Sequence, residues 1–293
     1  LLDLLVARGG DVVAWHRPGG SPPRESPSVK WEPVDMLSRG AVRNAIERFR
    51  PALVYHCAGA AHVGRAWEHV EAAFAVNVRA TAHLVDALAE TGTPARVLIP
   101  SSALVYEMAN RPLAEEDPLV PAGPYGLSKL AQEMLGRHLH GSVSIVVARA
   151  FNHVGPRQNP RFVASGFASR IADIEKGRRE PAISVGNLDA QRDLTDVRDT
   201  VRAYYLIAEK GVAGRAYNVC SGRTMTIRQL LERLIARSGV KVELQPDPSR
   251  HRPKDTPMIL GNPSRIHSEL GWAPSIPLEQ TLDDLLEYWR TRN

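Results

Sequence analysis

Residues 96–102 read Arg-Val-Leu-Ile-Pro-Ser-Ser, and the fold follows from where this stretch ends. Arg96–Pro100 is a strand that runs directly into Ser101-Ser102. In open α/β sheets the site lies beyond the carboxyl ends of strands, so a serine here faces chemistry. Upstream, a long helix is predicted over Trp67–Glu90. Before it, Ala52–Cys57 (ALVYHC) reads as a buried strand followed by the small-residue turn Ala58–Ala61. Further back, Ser38 can cap a helix over Arg39–Arg48, and Asp11–Trp15 (DVVAW) is a strand. Leu1–Arg8 has helical apolar spacing stopped by Gly9-Gly10, and Pro18–Pro27 is a loop. Downstream, a helix is expected around Tyr125–His140 and a strand at Ser144–Ala148. Strands separated by helices of this length imply an α/β fold, a doubly wound parallel sheet with helices on both faces.

The pattern loosens after Phe151. Two amphipathic segments, Ile227–Arg237 and Leu278–Trp289, flank a Pro-rich stretch from Pro246 to Pro263. We expect a dinucleotide-binding domain over 1–150 plus about 190–222. A smaller substrate-binding lobe is expected over about 151–189 plus 223–293. At 293 residues and 43% hydrophobic, the chain can bury one large core or two modest ones. No apolar run approaches the ~18 residues needed to span a bilayer, and no signal peptide is visible. Cys57 and Cys220 match no metal or redox spacing, so both are expected reduced, in a cytoplasmic protein without a metal site. A net charge of +5 raises the question of nucleic acid. The basic residues are scattered, however, with Arg178-Arg179 and Arg250-His251-Arg252 the nearest to clusters. No nucleic-acid module accompanies them.

The central chemical signal is Tyr125-Gly126-Leu127-Ser128-Lys129. Four residues is about one helical turn, so tyrosine and lysine share a face. A phenol titrates near ~10, too high for easy proton exchange at neutral pH, and a nearby ammonium is expected to lower that value. Tyr125 can then serve as general acid or base at a hydroxyl or carbonyl. Taken alone the pair is weak, because a tyrosine meets a lysine at this spacing by chance. Ser102, at its strand end, can hold a sugar hydroxyl or carbonyl beside the tyrosine.

Together these residues resemble the extended short-chain dehydrogenase/reductase family over nearly the whole chain. Ser101-Ser102-Ala103-Leu104-Val105-Tyr106 resembles its S-S-x-x-V-Y segment. Asp117-Pro118-Leu119 and Pro124–Lys129 are similar to its E-D-x-P-L and P-Y-G-x-S-K stretches, and Asn77-Val78 to its N-V-x-G-T helix, with Ala80 in place of glycine. Glu107 departs from the pattern, which has glycine there. The resemblance implies Ser102, Tyr125 and Lys129 as catalytic residues. It places Ala58, Gly59, Ala60 and Asn77 beneath a nicotinamide cofactor, with Asp35 and Met36 near its adenine. In the second half, Arg149–Pro156 (RAFNHVGP), Gly186–Asp193 (GNLDAQRD) and Arg252-Pro253-x-Asp255 resemble the GDP-mannose 4,6-dehydratase and GDP-4-keto-6-deoxymannose reductase branch. This implies a GDP-sugar substrate held by Ser102, Asn152, Arg192, Arg252 and Asp255. Arginines are planar cations suited to gripping a pyrophosphate.

Dinucleotide folds of this kind open with a strand, a glycine-rich turn and a helix whose N-terminus receives the pyrophosphate. The chain has no such glycine run and opens inside what reads as that first helix. We expect a Rossmann-type sheet whose first strand and glycine loop lie ahead of Leu1. The competing account is a regulatory relative that has lost the cofactor. On the first account, a form extended by a strand and glycine loop binds NADPH more tightly than the chain itself.

In a 4-keto reductase the tyrosine gives one proton as hydride arrives. A 4,6-dehydratase also moves protons at C5 and C6. The resemblance places its carboxylate two positions after the catalytic serine, where this chain has Leu104. Reductase is therefore preferred, with dehydratase and then 4-epimerase behind it. Arg17, at the end of the Asp11–Trp15 strand, could meet a 2′-phosphate, which favours NADP(H) with NAD(H) possible. The resemblance further implies a homodimer through the helices near Trp67–Glu90 and Tyr125–His140.

Overall fold

The computed structural model describes residues 1–22, 26–138, 143–250 and 256–292. Helix α1 (Leu2–Ala7) unwinds at Gly9, whose φ of +73° favours a residue without Cβ. Strand β1 (Val12–His16) pairs in parallel with β2 (Val29–Pro33), from Val12↔Val29 to His16↔Pro33. The sequence reading has no counterpart for β2, whose Lys30, Glu32 and terminal Pro33 mask a strand. Helix α2 (Arg39–Phe49) begins at Ser38, whose Oγ accepts from the N–H of Ala41 as expected. Strand β3 (Leu53–Tyr55) follows.

The helix expected over Trp67–Glu90 is not continuous. It starts earlier as α3 (Val63–Glu68), breaks at His69, and resumes as α4 (Val70–Phe74). A π-turn at Ala75–Arg79 then leads into α5 (Ala80–Glu90). Single π-turns within helices occur often at functional sites, and this one carries Asn77. Strand β4 (Arg96–Ser102) is two residues longer than the apolar pattern, so Ser101 and Ser102 still belong to the sheet. Helix α6 (Pro124–His138) carries Tyr125 and Lys129, and β5 spans Ser144–Ala150. Residues 139–140 of the expected helix and 23–25 of the expected loop lie outside the described residues.

The later part holds more structure than its sequence pattern suggests. It contains β6 (Asn152–Val154), α7 (Val163–Glu175), β7 (Ala182–Val185), β8 (Gln191–Asp196), α8 (Val197–Lys210) and β9 (Ala216–Val219). Next come β10 (Thr224–Thr226), α9 (Ile227–Ser238), β11 (Glu243–Pro246), β12 (Met258–Ile259), α10 (Ser264–Leu270) and α11 (Leu278–Arg292). Helices α9 and α11 are the two expected amphipathic segments.

One sheet has the order β3-β4-β5-β9. Among the described residues β1 pairs only with β2 and β3 only with β4, and β1 and β3 are half-buried throughout. In the other part β8 pairs antiparallel with β10 and parallel with β6 and β12, while β7 pairs with β11.

The chain divides into two compact units. The first comprises Leu1–Glu107, Asp117–Arg149 and Val201–Tyr217, and the second Met108–Glu116, Ala150–Thr200 and Asn218–Asn293. Residues 190–200 and 218–222, expected with the dinucleotide half, thus group with the second unit, as does 108–116. The first unit's core places Val42 and Ile46 of α2 and Leu84 and Leu88 of α5 with Val97 and Ile99 of β4. The second packs Ile171, Ile183, Leu230, Leu234, Leu285 and Leu286 together. These side chains are essentially inaccessible, so truncating any one to alanine costs about 2–5 kcal/mol.

Candidate active site

The site is built where β4 ends and α6 begins. Ser102, buried at the end of β4, accepts the N–H of Leu104 on its Oγ at 3.2 Å, which turns the chain out of the sheet. Tyr125 stands in the first turn of α6, half-buried, and hydrogen-bonds Ser102. Gly126 permits this approach. A Cβ there would overlap the Leu104 carbonyl oxygen and come within 2.9 Å of Pro121 Cβ. No side chain fits, so the first turn of the helix can press against the Ser102 loop. Gly126→Ala is expected to lower stability by about 1–3 kcal/mol through overpacking. It should also depress turnover by displacing Tyr125. Thermal melting read beside kcat checks both.

Lys129 is buried one turn further along. Its ammonium donates to the Pro100 carbonyl at 2.9 Å and to Gln132 Oε1 at 2.9 Å. Burial pushes Lys129 down to about 8, with Cys57 and Glu133 pulling the other way. Tyr125 departs from expectation. Burial pushes its phenol up to about 12, and the hydrogen bond with Ser102 only partly opposes this. Lys129 does not contribute to this shift; burial decides it. Tyr125 is therefore a fully protonated phenol at neutral pH.

Asn77 ties the turn after β3 to this helix. Ser128 gives its only hydroxyl proton to the Tyr125 carbonyl at 2.8 Å, so it can only accept from Asn77 Nδ2, also at 2.8 Å. The Asn77 amide is thereby oriented with Oδ1 toward the N–H of Ala60, at 2.8 Å. Gly59 lies over this pair. A Cβ on it would sit 3.0 Å from Asn77 Oδ1 and 3.5 Å from Lys129 Nζ. Ala58 and Gly59 are exposed, so the turn presents bare backbone beside the lysine.

The first unit thus brings together Ser102, Tyr125, Lys129, Asn77 and the turn Ala58-Gly59-Ala60. The other proposed cofactor residues lie at the ends of β1 and β2. Arg17 is exposed just after β1. Asp35 is exposed and accepts the N–H of Leu37 at 2.9 Å. Met36 is half-buried, and His83 meets its carbonyl at 3.1 Å. In the second unit Asn152 is exposed at the start of β6, while Arg192 on β8 donates to the carbonyls of Gln191 and Thr256, each at 2.8 Å. Arg252 and Asp255 lie outside the described residues. The sequence reading missed Ser128, Gln132, Thr81 and Gly126 as parts of the site. Helical spacing could have found two of them, since 125, 128, 129 and 132 share one face.

A family model described as GDP-mannose 4,6 dehydratase matches residues 17–285. The chain belongs to that family. Among its relatives is the GDP-6-deoxy-D-mannose reductase of Pseudomonas aeruginosa, 35% identical over 247 residues, covering 83% of this chain and 81% of the relative. The solved structure of RMD from Pseudomonas aeruginosa complexed with NADPH superposes with a TM-score of 0.84 at 31% identity, over 92% of this chain and 93% of that one. The UDP-glucose 4-epimerase of Thermus thermophilus, solved in complex with NAD, gives 0.88 at 25% identity, covering 100% and 95%. The parallel α/β sheet is accordingly the Rossmann-like fold of the epimerase/dehydratase enzymes. This family member is an NAD(P)-dependent oxidoreductase acting within the sugar-nucleotide reductase, dehydratase and epimerase group. No helix among its described residues is long and apolar enough to cross a membrane.

Proposed function

We propose that the protein reduces the 4-keto group of GDP-4-keto-6-deoxymannose, with NADPH as the preferred reductant. The observation that carries this reading is Leu104, an apolar side chain two positions after Ser102. Leucine moves no proton, so the C5 and C6 steps of a dehydration have no agent there. Glu107, the acid nearest in sequence, is exposed. Tyr125 is compatible with the same direction. The phenol is protonated at neutral pH and so has a proton to give a ketone, although burial makes it a weaker acid than a free phenol.

The residues present suit a nicotinamide nucleotide. Ser101 Oγ is buried without a partner among the described residues, and a Cβ at Gly59 beside Lys129 would press to 3.0 Å from Asn77 Oδ1. Lys129, Tyr125, Asn77 and the Ala58–Ala60 backbone would hold its nicotinamide end, and Arg17, Asp35 and Met36 its adenosine end. When bound, the reduced cofactor supplies a hydride to C4. Tyr125 passes its proton to the C4 oxygen as the carbonyl becomes an alcohol. Lys129 stabilises the phenolate left behind, and Ser102 donates a hydrogen bond to the developing alkoxide. Asn152, Arg192, Arg252 and Asp255 are the proposed contacts to the GDP-sugar.

The test is oxidation of NADPH on adding the 4-keto sugar nucleotide, with no reaction on adding GDP-mannose. Turnover of GDP-mannose alone would contradict the reading. Arg17 carries the cofactor preference, so Arg17→Asp should lower kcat/KM for NADPH selectively. An unchanged ratio between NADPH and NADH would show Arg17 to be a surface residue only. We also propose a homodimer. Trp67 and Val70 on α3 and α4, with Leu127 and Met134 on α6, are exposed apolar residues on helices that pack together. Sedimentation velocity tests this, and a monomer at all concentrations would refute it.

A further inference from the structure

A buried chain of hydrogen bonds runs behind Lys129, and its polarity is fixed by one hydroxyl. Thr81, fully buried on α5, gives its single proton to the Asn77 carbonyl at 2.7 Å. Its oxygen can then only accept. It receives Gln132 Nε2 at 2.9 Å and His56 Nε2 at 2.8 Å. Two consequences follow from the donor inventory. His56 carries its proton on Nε2. Gln132 must turn its amino group to Thr81 and its oxygen to Lys129. Reversing that amide would set N–H against an ammonium and leave Thr81 facing an oxygen with no proton between them.

From this geometry we infer that Gln132 is a positioning residue that holds Lys129 in its charged form, with Thr81 and His56 locking the amide in the required orientation. Gln132 is fully buried, and among the described residues its side-chain hydrogen bonds go to Lys129 and Thr81. Its link to the chemistry is the hydrogen bond from the lysine. The Pro100 carbonyl and Gln132 Oε1 both demand donation, so two of the three ammonium protons are committed. The third remains for the site. Lys129 is also faced by Cys57 beyond β3, by Glu133 on its own helix and by His56. Glu133 is itself paired with Arg149 of β5 at 2.9 Å. Burial pushes His56 down to about 3, and Lys129 pushes the same way, so His56 is neutral at working pH. Gln132 is thus a close, oriented acceptor for the ammonium. The inference rests on the proposed role of Lys129 beside Tyr125, and its test is independent of any sugar nucleotide.

The chain has only six lysines, so the ammonium groups can be followed individually by NMR of 13Cε-labelled lysine. Lys129 is identified by the loss of its signal in Lys129→Arg. In the unaltered chain Lys129 should titrate near 8. Gln132→Leu removes an acceptor and should lower the midpoint by about one unit. Gln132→Glu adds a negative charge of nearly the same shape and should raise it by about one unit or more. Thr81→Val should move it in the direction of Gln132→Leu, and Thr81→Ser should leave it in place. Opposite shifts in the leucine and glutamate variants support the inference. Shifts in the same direction, or midpoints within about 0.3 unit of the unaltered chain, overturn it. If Gln132→Leu does not fold, the near-isosteric Gln132→Glu decides alone. Absence of activity on every sugar nucleotide would count against the proposed reaction and leave this titration untouched.

Discussion

Tyr125→Phe is expected to reduce turnover at least ~10²-fold, the usual scale for losing a general acid, while leaving the fold intact. The ring is kept, and the helix contacts of this residue run through its backbone, since the Tyr125 carbonyl still accepts from Ser128. Only the hydrogen bond with Ser102 is lost, at a cost to stability of about 1 kcal/mol. The consequence for chemistry is larger. In the proposed reduction the C4 oxygen must gain a proton as the hydride arrives, and no other protonated group in the site is assigned to supply it. Binding should persist, so kcat falls and KM changes little. The assay takes NADPH consumption as its readout. Near-normal turnover in the variant would remove Tyr125 as proton donor.

Glu133→Leu is expected to cost about 3–5 kcal/mol, the scale for stranding a buried charge. Its partner Arg149 is a buried cation whose side chain is 2% exposed. Burial opposes the guanidinium charge, but hydrogen bonds and charge from Glu133, with Tyr106, more than offset this and hold it above its ordinary value. Arg149 Nε and Nη2 donate to Glu133 at 2.9–3.2 Å, and Nη1 donates to the Tyr106 hydroxyl at 3.0 Å. The cluster joins β5, helix α6 and the loop that follows Ser102. A loss of this size is a large share of the about 5–15 kcal/mol that stabilises a typical domain. The double variant Glu133→Leu/Arg149→Met replaces both charges with apolar groups and should recover much of the loss. Urea midpoints for the three proteins check this. A single variant that loses under about 1 kcal/mol would show that water or another group reaches Arg149.

The layers of the first unit were legible because its helices and central strands carry strong, long patterns. Ala52–Tyr55 and Val97–Ile99 are apolar runs, and Ser38 caps its helix as its type suggests. The misses have physical causes. β2 alternates charged residues with apolar ones and ends in proline, so nothing in Val29–Pro33 stands out until β1 pairs with it. The segment 67–90 is apolar enough to read as one helix, and the break at His69 and the π-turn at Ala75–Arg79 are backbone choices that composition does not encode. Strands of two to four residues, such as β6, β10 and β12, are too short to show a period.

The candidate site divides in the same way. Ser102, Tyr125 and Lys129 could be read from residue type and spacing. The direction of the phenol's shift could not, because it depends on burial. Nor could the roles of Ser128 and Thr81, whose hydroxyl protons are committed to helix carbonyls and so decide which way Asn77 and Gln132 face. Gly126 lies within the quoted motif, but its necessity emerges only from how closely its backbone approaches the Leu104 carbonyl oxygen.

The most direct measurement uses NADPH deuterated at the transferable position, with GDP-4-keto-6-deoxymannose and GDP-mannose supplied separately and the products read by mass spectrometry and NMR. The account predicts a 6-deoxy GDP-hexose carrying one deuterium on C4, a solvent-exchangeable proton on the adjoining oxygen, and no product from GDP-mannose. Loss of water from GDP-mannose at a catalytic rate would contradict it and assign the missing proton transfers to a residue other than Leu104.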